Sequence, residues 1–412
     1  MKANTELTRS DQSEILDRVA EIVRKRFYDP QLNGVDWTSL VNQRREAIVN
    51  AAPDQFEKAL NELLLELKTS HVGFFGTCFK AASARQAINA TVIKAETSFG
   101  PRWRFQDVHR GGAAEKAGIR SGDIVLTLKG REVSTSEAPQ FPMGERIEAD
   151  IAQAGNKVAR LTIDIPDPTS KKQPVNIPDV VTSERLANSI GLLRVSMFPG
   201  IVGIDVAASV SAAARQLACD RLIIDLRGNT GGGLGSLRVM SHLCPDRRGV
   251  GHSVTRSRAE KGFDKESLPV FDRIPLSKLG LFPLIFKFGL GDKSVAVKTE
   301  GLGGQSFHGR IVVLVNQHSA SASEMIAAFA AENKLATIVG EKTPGRVVGA
   351  NSFKVGHGYR VALPVVEYRT WAGTILEGRG VAPDVSEPFS PEAAWAGEDT
   401  QIARAVQVLA AA

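Results

Sequence analysis

Two uninterrupted apolar runs, in RLIIDL (221–226) and IVVLVN (311–316), constrain this chain more than any other feature. Short runs rich in β-branched residues and bounded by turn residues read as strands buried on both faces, the pattern of parallel pairing. Each run is followed by a turn and then by helical periodicity: RGNTGGGLGSLRVMSHL after the first, SASASE and a helix over 323–331 after the second. IGLLRVSMF, a helix around 203–217 and ATIVGE continue the alternation, and QIARAVQVLAAA closes it as a helix. Residues 186–412 are therefore expected to form an α/β domain with largely parallel strands.

The preceding segments have other periods. Ile15, Leu16, Val19, Ile22, Val23 and Phe27 recur at helical spacing, and after Pro53 so do Phe56, Leu60, Leu63, Leu64 and Leu67, in a stripe that breaks at Thr69-Ser70-His71. Residues 1–78 read as a helical domain whose last helix delivers a histidine. From 88 to 168 short alternating runs with glycine turns predict a β-rich domain, and 169–185 reads as a linker. An insertion over 246–308 has few regular signals. Its apolar stretch LGLFPLIFKFGL (279–290), interrupted by Pro283, is read as a partly buried connection, or else as a lid or partner-facing loop.

Charge and cysteine usage exclude several classes. The net charge of +6 is the small excess of 51 Lys and Arg over 45 Asp and Glu, and the cations are spread along the chain, so nucleic acid is not expected. Three cysteines without a CxxC pair signal neither a zinc site nor a disulfide framework, and buried free thiols are expected. The N-terminal residues lack the apolar core of an export signal, and no run reaches membrane-spanning length. The expectation is a cytoplasmic chain without membrane contact, or a periplasmic or secreted one already trimmed.

Two motifs carry chemistry. Glycines directly after a strand, as in DLRGNTGGG (225–233), let backbone N–H groups approach an anion, either a phosphate or an oxyanion, but the Lys-Ser/Thr of a phosphate loop does not follow. In NQHSASASEM (316–325), Ser321 stands where a strand turns into a helix. Ser321 and Glu324 there form a capping-box pattern, and the same position suits an exposed nucleophile.

The two motifs, in this order and roughly 90 residues apart, resemble those of the C-terminal processing (tail-specific) serine peptidases. AAEKAGIRSGDIVLTLKGREV (113–133) before them resembles a PDZ domain, without the glycine-rich loop that holds a peptide carboxylate. The resemblance implies a multidomain α/β protein: an N-terminal helical domain, a PDZ-like domain and a ClpP/crotonase-like core of β-β-α units. It also implies Ser321 as nucleophile, with an oxyanion hole from the N–H groups of Ala322 and of Gly231 or Gly232. The family's usual lysine base falls in Thr343-Pro344-Gly345-Arg346 and is here Arg346, which stays protonated and cannot accept a proton. Lys342 and Lys354 are nearby, but displaced.

LKTSHVGFF (67–75) and LEGRGVAPD (376–384) resemble instead the tricorn-type branch, which uses a Ser-His-Ser-Glu tetrad. That likeness implies His71 as general acid/base, with Ser70 and Glu377 orienting it. Arg346 is then left to meet a substrate carboxylate, and Asp225 and Arg227 hold the glycine loop. His308, His318 and His357 read as solvated. The implied reaction is acyl transfer on an extended polypeptide, with no metal or cofactor, in a monomer or an oligomer. The alternatives are a degenerate binding protein and an acyl-ester hydrolase.

Overall fold

The computed structural model describes residues 7–76, 81–168, 175–280 and 294–411. Its central sheet runs in the order Val181–Arg185, Ile190–Val195, Arg221–Asp225, Arg310–Val315, Thr337–Gly340, Val385–Ser386. The first pair is antiparallel and the rest are parallel. Alternate residues explain the unbroken apolar runs. Leu222, Ile224, Val313 and Val315 face a core shared with the helices Ile204–Leu217, Ser236–His242 and Ala322–Glu332. Ile223, Val312 and Leu314 face Ala405 and Leu409 of the closing helix Thr400–Ala411. With both faces covered, the functional loops emerge at the C-terminal ends of the parallel strands.

A second sheet is mostly antiparallel. The strand Tyr359–Thr370 pairs with Val348–Gly356 on one side, and on the other with Gly73–Gly76 and then Gly249–Thr255, beyond which lie Val295–Lys298 and Val270–Phe271. The segment 246–308 is therefore not irregular, as the sequence suggested, since it supplies three of these strands. The polar and glycine-rich text of Gly249–Thr255 (GVGHSVT) hid its strand. From residue 281 on, the apolar stretch 279–290 lies outside the described residues.

The helices Arg9–Arg26, Trp37–Val49 and Pro53–Leu65 bury one apolar face together. The middle helix escaped the sequence reading because its buried apolar residues are only Trp37, Val41, Ile48 and Val49. Their core also takes in Val355, Val361 and Leu363, so these helices lie on the Val348–Thr370 hairpin. That packing carries the end of Pro53–Leu65, and Ser70-His71 beyond it, onto the strand Gly73–Gly76 of the second sheet.

A third, six-stranded sheet runs Ala90–Thr97, Gly100–Val108, Ile124–Leu128, Arg146–Gln153, Lys157–Asp164, with the short strand Arg131–Glu132 also paired to Ile124–Leu128, and packs on its own core of Phe105, Val125, Ile151 and Ile163. It is joined to the central sheet through 175–180. The last five residues of the expected linker, Val181–Arg185, are instead the antiparallel edge strand of the central sheet.

Candidate active site

Two loops meet at the C-terminal ends of the adjacent strands Arg221–Asp225 and Arg310–Val315, and Asn229, fully buried, joins them. Its Nδ2 donates to Val195 O at 2.8 Å, its Oδ1 accepts from Gly231 N at 2.8 Å, and its carbonyl accepts from Ala320 N and from Ser323 Oγ. The glycines then pass against the second loop. Gly231 has φ +93°, and a Cβ there would lie 2.6 Å from Ser321 Cβ; at Gly232 (φ +136°) a Cβ would meet Phe198 O at 2.1 Å. Only glycine fits such an approach.

The strand-to-helix junction is strained. Ser321 has φ 55° and ψ −115°, a conformation that costs a non-glycine residue about 1–3 kcal/mol. Glu324, completely buried, pins the turn with four donors. Its Oε2 accepts from Ser321 N (3.0 Å) and Arg346 N (2.8 Å), and its Oε1 accepts from Gly345 N and Thr343 Oγ1, both at 2.7 Å. Burial pushes the Glu324 carboxyl above the usual range against the pull of these donors. The capping pattern is thus used to tie Ser321 to the 343–346 turn, which the spacing alone did not reveal.

Among the expected oxyanion donors the structure separates the two glycines. Gly231 N–H is already donated to Asn229 Oδ1, which corrects its place in the donor set. Among the described residues no acceptor is recorded for Gly232 N–H or for Ala322 N–H, the latter at the first position of its helix.

Ser70, His71 and Glu377 come together across 307 positions of sequence. Ser70 Oγ lies 2.7 Å from His71 Nδ1 and donates to Glu377 Oε2 at 3.1 Å. Glu377 Oε1 accepts from Ser70 N (2.6 Å) and Thr69 Oγ1 (3.1 Å), and Oε2 also accepts from Val347 N at 2.7 Å. Every contact on this carboxylate is a donor, so the Ser70 hydroxyl points its proton at Glu377. It can then only accept from His71 Nδ1–H, which leaves Nε2 as the unprotonated nitrogen. His71 sits at φ 57° with its side chain open to solvent on one side. Lost hydration on the other side lowers its pKa, Glu377 raises it and Arg346 lowers it again, for a net fall below the usual 6.5.

No hydrogen bond joins His71 to Ser321 among the described residues. They are linked through neighbours: Glu324 holds both Ser321 N and Arg346 N, and the next residue, Val347, donates to Glu377. The Arg346 side chain is exposed and has no anionic partner among the described residues, while its charge reaches both His71 and His318. Lys342 and Lys354 are exposed and make no recorded contact with the site.

The remaining expectations divide. Asp225 and Arg227 do brace the loop: Arg227 NH2 donates to Asp225 Oδ2 at 2.7 Å and to Asp399 Oδ2 at 2.8 Å, which ties the loop to the start of the closing helix. Burial alone would raise the Asp225 carboxyl, but the Arg227 pair holds it down to about 2. His308 is exposed, and His357 lies between Asp11 and Glu14 at the surface. His318 corrects the reading, since its Nε2 is buried and unpartnered among the described residues. Asn229, Asn316 and the multiple role of Glu324 were not anticipated, because buried amides and carboxylates carry no periodic signal. A cavity of about 440 Å³ borders Asp107, His109, Asp225 and Arg227, but is not lined by Ser321, His71 or Glu377.

Residues 189–387 match the family model for Peptidase family S41. Over 290 residues the chain is 26% identical to a carboxyl-terminal-processing protease of Synechocystis, covering 68% of this chain and 58% of that protein. It is 23% identical to tricorn protease homolog 1 of Streptomyces coelicolor, covering 97% of this chain and 35% of that one. The chain thus spans little more than half of the first relative and about a third of the second. A solved photosystem II D1 C-terminal processing protease superposes with a TM-score of 0.58 at 21% identity, over 97% of each chain, a likeness of fold.

Proposed function

Through residues 189–387 the chain belongs to peptidase family S41, and on that premise we propose that it is a serine peptidase cleaving extended polypeptide, in the C-terminal region of its substrates, through an acyl-enzyme on Ser321. Its core is read as ClpP/crotonase-like, and the third sheet as a PDZ-like unit that substrate passes. His71 Nε2 takes the Ser321 proton as Oγ attacks the scissile carbonyl, and returns it to the leaving amine. Water then repeats the sequence on the acyl-enzyme. The imidazolium formed in each half is stabilised through Ser70 by the Glu377 carboxylate. Ala322 N–H and Gly232 N–H face the developing oxyanion. Arg346, a cation without an anionic partner among the described residues, receives a substrate carboxylate.

The observation that carries this reading is the Glu377–Ser70–His71 chain of hydrogen bonds, which supports Nε2 as the proton acceptor where the arginine at 346 cannot serve. An active-site-directed fluorophosphonate tests it. Wild type should be labelled at Ser321, Ser321→Ala should not be, and His71→Ala should label at least about a hundredfold more slowly. Wild type left unlabelled would mean a ligand-binding protein of the same fold, and full labelling of His71→Ala would remove the histidine from the mechanism.

A further inference from the structure

Gly228 sits in the middle of the glycine loop, and its carbonyl is held from outside the central sheet. Its φ is +68°, and a Cβ there would lie 2.7 Å from His109 Nε2 and 2.9 Å from Asp107 Cβ, so the end of the strand Gly100–Val108 presses directly on it. Its carbonyl accepts from Arg85 Nε at 2.9 Å and lies 3.3 Å from His109 Nε2. Arg85, 8% exposed, donates its NH2 to Ser196 O at 2.5 Å, so one guanidinium spans two loops of the core.

The N–H of Gly228 is held less directly. It donates to Asn316 Oδ1 at 3.1 Å, and the same oxygen accepts from His318 N at 3.0 Å. An amide side chain can present either its oxygen or its nitrogen. Here the choice is fixed from two sides: the N–H groups of Gly228 and His318 require the oxygen, and the two carboxylate oxygens of Asp107 each accept from Asn316 Nδ2 at 3.0 Å. Asp107 is itself fixed by Thr91, whose hydroxyl donates to Oδ2 at 2.5 Å. Asn316 precedes the nucleophile loop and Gly228 precedes Asn229, whose contacts set Gly231 and Ala320. One carboxylate of the third sheet thus orients the amide that holds the glycine loop and the serine loop in register. Burial pushes Arg85 down to about 10, so it remains a cation at neutral pH, and it pushes the His109 ring down to about 4, so that ring stays neutral beside it.

We propose that Arg85 and Asp107, which belong to the third sheet's unit and touch neither substrate nor reacting atoms, are positioning residues that hold the glycine loop in oxyanion-binding geometry through Gly228 and Asn316. This rests on the peptidase reading above. The unit 81–165 is thereby a structural part of the active site as well as a neighbour of it. Its removal or undocking lowers turnover without altering the nucleophile or base.

The test compares Arg85→Met and Asp107→Ala with wild type in the full chain. Turnover of a fluorogenic peptide, affinity for a peptide aldehyde that forms a tetrahedral oxyanion, and amide hydrogen exchange across 226–234 are followed together. The expectation is a fall in kcat of about 10–100-fold with KM changed less than about threefold, aldehyde affinity falling in step with kcat, and loop exchange at least about tenfold faster. Asp107→Asn, which retains one acceptor oxygen, should recover part of the loss. Should either variant fold poorly, Thr91→Val removes only the hydroxyl that steadies Asp107 and should lower kcat about three- to tenfold. Loop exchange and kcat both unchanged in these variants, with melting temperatures held, would overturn the proposal. Loop exchange judges it even if wild type escapes the fluorophosphonate, an outcome that would instead remove the peptidase reading.

Discussion

Replacing Ser70 by alanine removes the link between His71 and Glu377 while leaving Ser321, the glycine loop and Arg346 in place. Two contacts disappear, the 2.7 Å bond at His71 Nδ1 and the 3.1 Å bond to Glu377 Oε2. The loss matters little while the ring is neutral and most when it becomes an imidazolium in the transition state. A hydrogen bond to a charged group is worth about 1.5–3 kcal/mol. At about 1.4 kcal/mol per decade, kcat should fall roughly 10–150-fold. KM should stay within about threefold, because Ser70 faces the histidine and Glu377. The ring also loses its route to a carboxylate, so the acidic limb of the kcat/KM profile should move to lower pH. Steady-state kinetics on a fluorogenic peptide across about pH 5–9, with His71→Ala as the inactive control, measures both effects. A Ser70→Ala enzyme within twofold of wild type, with an unshifted limb, would refute the argument that this chain of bonds sets the tautomer.

Three further outcomes follow from the geometry. Arg346→Ala should raise KM for peptides with a free terminal carboxylate about tenfold relative to amidated ones, and, because Arg346 lowers the His71 pKa, should move the acidic limb to higher pH; equal KM changes for both peptides would dissociate Arg346 from carboxylate binding. Gly231→Ala, at φ +93° and 2.6 Å from Ser321 Cβ, should cost about 1–3 kcal/mol in chemical denaturation and slow fluorophosphonate labelling at least about tenfold; wild-type labelling would contradict the close approach. Desolvation holds His242 down to about 4, so between pH 6.5 and 4 the unfolded chain binds more protons and stability falls as pH falls. Urea midpoints should show His242→Gln escaping about 2–3 kcal/mol of the wild-type loss between pH 7 and 4.5, and an identical loss in both would refute the assignment.

What was legible in the sequence follows from which physical signals are periodic or local. The strands at 221–225 and 310–315 were visible because burial on both faces demands an unbroken apolar run, and the helix after Ser321 because its turn carries a capping pattern. The middle N-terminal helix, with four buried apolar residues in thirteen, and the strand Gly249–Thr255, rich in glycine and polar residues, lacked such signals. In the site, the loop motifs could be read because they are contiguous. Asn229, Asn316 and Asp107 could not, since their meaning lies in contacts with residues up to 209 positions away. An arginine at 346 is itself informative, because a permanently protonated side chain there leaves the proton acceptor to be supplied from elsewhere in the chain. The spending of Gly231 N–H on Asn229 is visible only once the turn is folded.

The pairing of Ser70 with Glu377 has a consequence for biosynthesis. Among the described residues the strand Gly73–Gly76 pairs with Tyr359–Ala362, and the Ser70–His71 pair finds its carboxylate later still. During translation the residues proposed as nucleophile and base both emerge from the ribosome well before the group that orients the base. On the reading given above, a nascent or truncated chain ending before Glu377 would carry Ser321 and His71 without the carboxylate that orients the base, and full proteolytic power would wait for the residues beyond 376.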